Sequence, residues 1–131
     1  MSRENVKIVQ AFYAAFDQGD EAAIRAILDV EVEWDTTARI DGRVTHGIDD
    51  TRASVEEGFS SFDGVRIEPQ EMRDAGDEVA VRLRGWFRGA SSGVETETSW
   101  AAVFTIRDGT IRRYRDYVGW PKALEAAGLS E

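Results

Sequence analysis

The sequence predicts a single α+β domain, with helices and one early strand ahead of a run of longer strands. Three observations carry this. The first third holds two helical stripes broken at Gly19-Asp20, the second half holds four stretches of strand-like alternation, and Asp108-Gly109 separates the last two. An Asp-Gly pair between alternating apolar runs is a strong hairpin signal, because the turn needs a positive φ that glycine tolerates. At 131 residues the chain is long enough to bury a real core in one domain.

In order, residues 4–17 read as a helix whose apolar stripe is Val6, Ile8 or Val9, Phe12, Tyr13 and Phe16, with Ser2 as N-cap. Asp20 caps a second, short helix through about residue 28, with Ala23, Ile24, Ile27 and Leu28 on its buried face. Residues 32–37 (VEWDTT) alternate as a strand, Val32 and Trp34 pointing one way, Glu33 and Asp35 the other. Residues 40–47 form a loop or a short strand pair around Asp41-Gly42. A third helix then runs from Asp49 or Asp50 to about Phe59, with Val55 and Phe59 inward. Strands follow at 65–73, 78–88, 95–107 and 110–118. A last helix at 121–127 has proline in its first turn and Gly128 at its end. The helices are expected on one face of the sheet.

With Arg107 facing Thr110, Val103 pairs with Tyr114 and Ala101 with Asp116. Trp100, Phe104, Ile106, Ile111, Arg113, Arg115 and Tyr117 then fall on the other face. A one-residue slip or bulge would change these partners. For the preceding strand, pairing Leu83 with Ala101 turns Arg82, Arg84 and Trp86 to the outer face with Trp100, whereas pairing Arg82 with Ala101 sets them beside Asp116. The first is favoured because it buries Val81, Leu83 and Phe87. In either register Asp116 is an acid late in a strand that ought to be buried, which makes it the first functional candidate.

Composition excludes several classes. A net charge of −9 argues against phosphate-tracking contacts to DNA or RNA. The absence of cysteine removes disulfides, thiolate metal sites and a cysteine nucleophile. His46 is the sole histidine and the acids show no ligand spacing, so no metal is expected. There is no Gly-rich phosphate loop, no nucleophile elbow and no apolar stretch near the ~20 residues that span a membrane. A cytoplasmic protein without cofactor is the expectation.

Four stretches taken in order are VQAFYAAFDQGD, VEWD, THGIDD and IRDGTIRRYRDYV. In this ordered set the chain resembles the nuclear-transport-factor-2-like superfamily, and within it the SnoaL-like polyketide-cyclase and ketosteroid-isomerase-like branch. The resemblance covers nearly the whole chain. It implies a cone-shaped fold, a strongly curved, mainly antiparallel sheet wrapped around the N-terminal helices and an apolar pocket. It also implies dimerisation through the outer sheet face.

The resemblance further implies roles. Asp35 falls where ketosteroid-isomerase-like proteins hold a general base, and Phe12 falls at their helix tyrosine, with Tyr13 one step round. Asp116, in YRDYV, falls at the acid/base aspartate of SnoaL-like cyclases. The limonene-epoxide-hydrolase branch pairs a similar aspartate with an Arg-x-Asp; here Arg84 is followed by Trp86 and Arg82 by Arg84, so that triad is incomplete.

The candidates are therefore Asp116 and Asp35 for acid/base work, with Phe12, Tyr13, Trp34, His46 and Tyr114 for ligand contact. The pocket is expected to open near Tyr13, Trp34, His46 and Asp116. One reading is a homodimeric, cofactor-independent isomerase or cyclase acting on a small apolar carbonyl compound. The other is a non-catalytic ligand-binding or interaction module, in which Asp116 is salt-bridged to Arg82, Arg84 or Arg112.

Overall fold

The computed structural model describes residues 2–130. The elements are α1 (Ser2–Gln18), α2 (Glu21–Ile27), β1 (Leu28–Asp35), β2 (Val44–His46), α3 (Ile48–Gly58), β3 (Phe62–Ala75), β4 (Glu78–Gly89), β5 (Glu95–Arg107), β6 (Thr110–Tyr117) and α4 (Trp120–Ala126). The cap expected of Ser2 rests on a side chain outside the described residues. Asp20 caps α2 as expected, its carboxylate accepting the Ala23 N–H at 3.1 Å. No helix among the described residues is long and apolar enough to cross a membrane.

The six strands form one sheet in the order β2-β1-β6-β5-β4-β3. β1 runs parallel to β6, and every other neighbouring pair is antiparallel. β1 and β3 lie four strands apart, roughly 19 Å along a flat sheet. Yet α1 reaches both: Phe12 meets Trp34 of β1 at 5.6 Å between ring centroids, and the same helix packs on β3. One helix about 10 Å wide can touch both only if the sheet bends around it. The core fills that concavity, with Val9 and Phe12 of α1 against Val32, Val81, Phe104 and Ile111 of the sheet.

Two expectations are corrected. The helices are not massed on one face, because α4 packs on the opposite side, where Ala123 and Leu124 cover Ala80, Ala101 and Val103. The alternation of β4 and β5 makes this possible, since Val79 and Val81 face α1 while Ala80 faces α4.

The second correction is register. The turn is as expected, with Asp108 at φ 54°, Gly109 at φ 80° and Arg107 opposite Thr110. One step beyond Ile106–Ile111, however, β6 carries an extra residue, and Thr105 faces Arg113. This bulge moves every later partner by one, so Phe104 faces Tyr114 and Ala102 faces Asp116. Tyr114 and Asp116 therefore share the inner face with Trp100 and Phe104 instead of opposing them. On the other side of β5 the pairing is Arg82 with Ala101 and Leu83 with Trp100. Arg82, Arg84 and Trp86 still face outward, because the bulge has moved Asp116 to the face of Leu83.

Candidate functional site

The bulge in β6 turns two polar side chains, Tyr114 and Asp116, into an aromatic interior. Trp34 stacks on Tyr114, with 4.0 Å between centroids and planes within 8°, and Phe104 meets Tyr114 edge-on at 5.1 Å. Such pairs add about 0.5–1.5 kcal/mol beyond area burial and hold the phenol in one orientation. The Tyr114 hydroxyl donates to Asp116 Oδ1. Asp116 itself is only 4% exposed.

Its other oxygen is held from a loop. Residues 36–43 close on themselves: Thr36 N–H donates to the Arg43 carbonyl at 2.9 Å, and Arg39 N–H to the Thr36 carbonyl at 3.0 Å. Gly42 is needed for the closure, since a Cβ there would lie 1.7 Å from the Thr36 carbonyl oxygen. The loop projects Arg39 over the sheet, where its Nε donates to Asp116 Oδ2 at 2.6 Å. Arg39 is the ion partner of Asp116. The expected partners lie elsewhere, Arg82 on Glu71, Arg84 on Glu97, and Arg112 on Asp29 and Asp108.

Burial pushes the Asp116 carboxyl above the usual carboxylate range, and Arg39 and Tyr114 only partly offset this. Burial also raises the phenols of Tyr114 and Tyr13, so both stay protonated and can donate. The Tyr13 hydroxyl, on α1, has no hydrogen-bond partner among the described residues. Trp100 Nε1–H is buried beside the Tyr114 hydroxyl without reaching hydrogen-bond geometry.

Two cavities adjoin this group. The larger, about 540 Å³, is walled by Phe12, Tyr13, Trp34 and Tyr114 and rimmed by the 36–43 loop and α3. The smaller, about 420 Å³, is walled by Phe62, Phe87 and Thr98 and includes Asp116. Both volumes lie in the range of small-molecule sites. Gly85 shapes the wall they share, because a Cβ there would fall within 2.8 Å of the rings of both Phe87 and Trp100.

The structure thus brings together Phe12, Tyr13, Trp34, Tyr114 and Asp116, and leaves two candidates outside. His46, on β2, is exposed, lies 3.4 Å from Glu33 and lines neither cavity, so the pocket does not open at it. Asp35 lies on the face opposite Trp34. Its Oδ1 accepts the Thr37 N–H at 2.9 Å and the Thr37 hydroxyl at 2.6 Å, and Arg115 is 3.4 Å from its Oδ2. Burial raises its carboxyl, but Thr37, Arg115 and Arg113 outweigh that and hold it below the usual range.

Arg39 is the residue that sequence reasoning missed. The signal was indirect: a buried acid needs a cation, and a glycine-closed loop after VEWD could supply one. Among the described residues no group of three His, Cys, Asp or Glu side chains could hold a metal ion.

The family model described as SnoaL-like domain matches residues 9–114. No curated protein matches the sequence. Among solved structures, an NTF2-like protein from Burkholderia xenovorans is 25% identical, with 97% of each chain covered and a TM-score of 0.75. TerC, co-crystallised with polyporic acid, is 22% identical over 95% of this chain and 98% of its own, with a TM-score of 0.77. A protein with a ketosteroid-isomerase-like fold from Catenulispora acidiphila, in complex with trimethylamine, is 18% identical over 93% and 92%, with a TM-score of 0.74.

Proposed function

As the chain belongs to the SnoaL-like domain family, we propose that it binds a small, mainly apolar carbonyl compound and moves a proton on it with Asp116, as a cofactor-independent isomerase or cyclase. The observation that carries this is a buried carboxyl of raised pKa bordering the smaller cavity, next to a larger aromatic cavity lined by an unengaged tyrosine hydroxyl. A raised pKa makes the carboxylate a better base and its acid form easier to reach.

The step requires little else. Asp116 takes the proton α to the carbonyl, and the charge that develops on the carbonyl oxygen is met by the Tyr13 O–H. In an isomerase Asp116 returns the proton to another carbon. In a cyclase the enolate carbon attacks a second carbonyl and Asp116 protonates the new alkoxide. Tyr114 orients Asp116, while Phe12 and Trp34 hold the apolar body of the ligand. Asp35 and His46 take no part.

One observation favours the non-catalytic reading. Asp116 already has an arginine and a hydroxyl, which is enough to satisfy a buried carboxylate without any chemistry. The epoxide-hydrolase reading loses its support, because Arg82 and Arg84 face outward.

A thermal-shift panel of apolar ketones, terpene epoxides, steroids and polyporic acid separates these readings. A ligand at a hundred times its Kd adds about 2.7 kcal/mol to the folded state. A compound that is bound and turned over, with turnover lost but binding kept in Asp116→Asn, supports the enzyme. Full turnover by Asp116→Asn on any compound sinks the catalytic assignment.

A further inference from the structure

The two cavities share Arg39, Gly58, Phe59 and Trp100 as walls, and of these Arg39 alone is a long side chain carried by a surface loop. Asp116 borders the smaller cavity, whereas Tyr114, its hydrogen-bond donor, borders the larger. The arginine and its ion pair therefore stand at the junction.

Building on the function proposed above, we propose that the cavities are two halves of one elongated site and that Arg39 is a movable partition between them. The ligand is then a two-part molecule with a flat apolar group in each half, joined through a carbonyl at the junction.

Three features carry this beyond the sharing of walls. Arg39 is held to Asp116 through Nε alone, and 47% of its side chain is exposed, so water can take over its guanidinium when it swings out. A bidentate, buried pair would resist that far more. The loop that carries it also holds Ile40, which lines the larger cavity yet is fully exposed. A large apolar side chain left in water at a cavity rim gains burial when an apolar ligand arrives beneath it. Finally, the smaller cavity is walled by Phe62, Phe87 and Trp100, a surface suited to a ring, and its charged lining residues, Arg39 and Asp116, are paired with each other. Its ligand group is therefore uncharged.

Displacing Arg39 has a chemical consequence. The groups whose charge or hydrogen bond acts on Asp116 are Arg39 from the loop, Tyr114 from its own strand, Tyr13 from α1 and, more weakly and through the sheet, Asp35 from β1. Arg39 is the cation that holds the carboxyl down. When it leaves, the carboxylate loses the charge that stabilises it and becomes a stronger base toward the proton α to the ligand carbonyl, so a ligand long enough to cross the junction arms the group that acts on it.

The test compares acetophenone, one ring on a carbonyl, with chalcone, an enone with a ring at each end. Affinities are read by titration calorimetry in two buffers of different ionisation enthalpy. Chalcone should bind about tenfold more tightly than acetophenone, and its binding should take up protons increasingly as the pH is lowered, with the uptake lost in Asp116→Asn. Arg39→Ala should tighten chalcone about tenfold and leave acetophenone within about twofold. Thr98→Trp, an exposed residue on the smaller cavity, should weaken chalcone alone.

Acetophenone bound, with chalcone no tighter and indifferent to Thr98→Trp, overturns the two-part site and leaves the proposed function standing. Neither ketone bound by a protein that melts normally overturns both. Should Arg39→Ala not fold, the Thr98→Trp comparison and the proton uptake decide alone.

Discussion

Asp35 and Asp116 lie on adjacent strands, are 7% and 4% exposed, and each has an arginine and a hydroxyl within reach, yet their carboxyl pKa values move in opposite directions. Asp35 ends β1 on the outer face under a thin cover of Thr37 and Arg115. It also accepts a backbone N–H and feels a second arginine, Arg113. Asp116 sits among aromatic rings and has no backbone donor. Low exposure alone therefore does not say which way an acid titrates. The number of fixed donors, set against how deep the apolar surroundings go, decides it.

The largest expected effect comes from removing the cation at the inner acid. In Arg39→Ala, Asp116 keeps only the Tyr114 hydroxyl, and its raised pKa rises further. A carboxyl with a raised folded pKa contributes stability that is complete below its unfolded pKa and is lost as pH rises through the folded one. Arg39→Ala should thus cost about 2–3 kcal/mol at pH 8 and less than about 1 kcal/mol at pH 5, read from denaturant melts. A cost that does not change with pH would break the contrast between the two acids.

Gly42→Ala should reproduce that signature at about 2 kcal/mol without touching a charge. The new Cβ lands on the Thr36 carbonyl, and the loop must open and withdraw Arg39. A loss with no pH dependence would mean that the loop matters only for its own closure.

At the outer acid the sign reverses. Asp35 has a depressed pKa, so its contribution is present above the unfolded value of about 3.9 and is lost as pH falls through the folded one. Asp35→Asn should cost about 1–2 kcal/mol at pH 7, and the difference from wild type should shrink steadily as the medium is acidified below the unfolded value.

The same contrast shows what the sequence could convey. Element types and order were legible because they rest on local signals: the α1 stripe, the Asp20 cap, and the Asp108-Gly109 turn. Face assignment was not, because it depends on a bulge at Arg112 that no turn residue announces. The expected β5–β6 and β4–β5 registers were each off by one. The two errors cancelled for Arg82, Arg84 and Trp86 but not for Trp100 and Phe104. Of the site, the aromatic wall and Asp116 were legible as a helical stripe and an acid among strand apolars. Arg39 was not, because its contact spans 77 residues and depends on how a loop folds back. Asp35 was misleading for the opposite reason, since strand alternation already set it on the face away from Trp34.

The smallest stability effect belongs to the acid with the largest proposed role. In Asp116→Asn the amide oxygen still accepts the Tyr114 O–H. The amide nitrogen faces the Arg39 guanidinium, donor against donor, and Arg39 turns to water through its exposed half. What is lost is one ion pair; what is removed with it is a buried charge that its surroundings disfavour. These nearly offset, so the expected change is within about 1 kcal/mol at pH 7. Its sign should drift in favour of the variant as pH rises, because only the wild type has a carboxyl that loses stability on ionising. Melts of both proteins from pH 5 to about pH 9 read this directly. A loss of about 3 kcal/mol or more at pH 7 would make Asp116 a structural ion-pair partner like Asp35, and the difference between the two acids would reduce to depth alone.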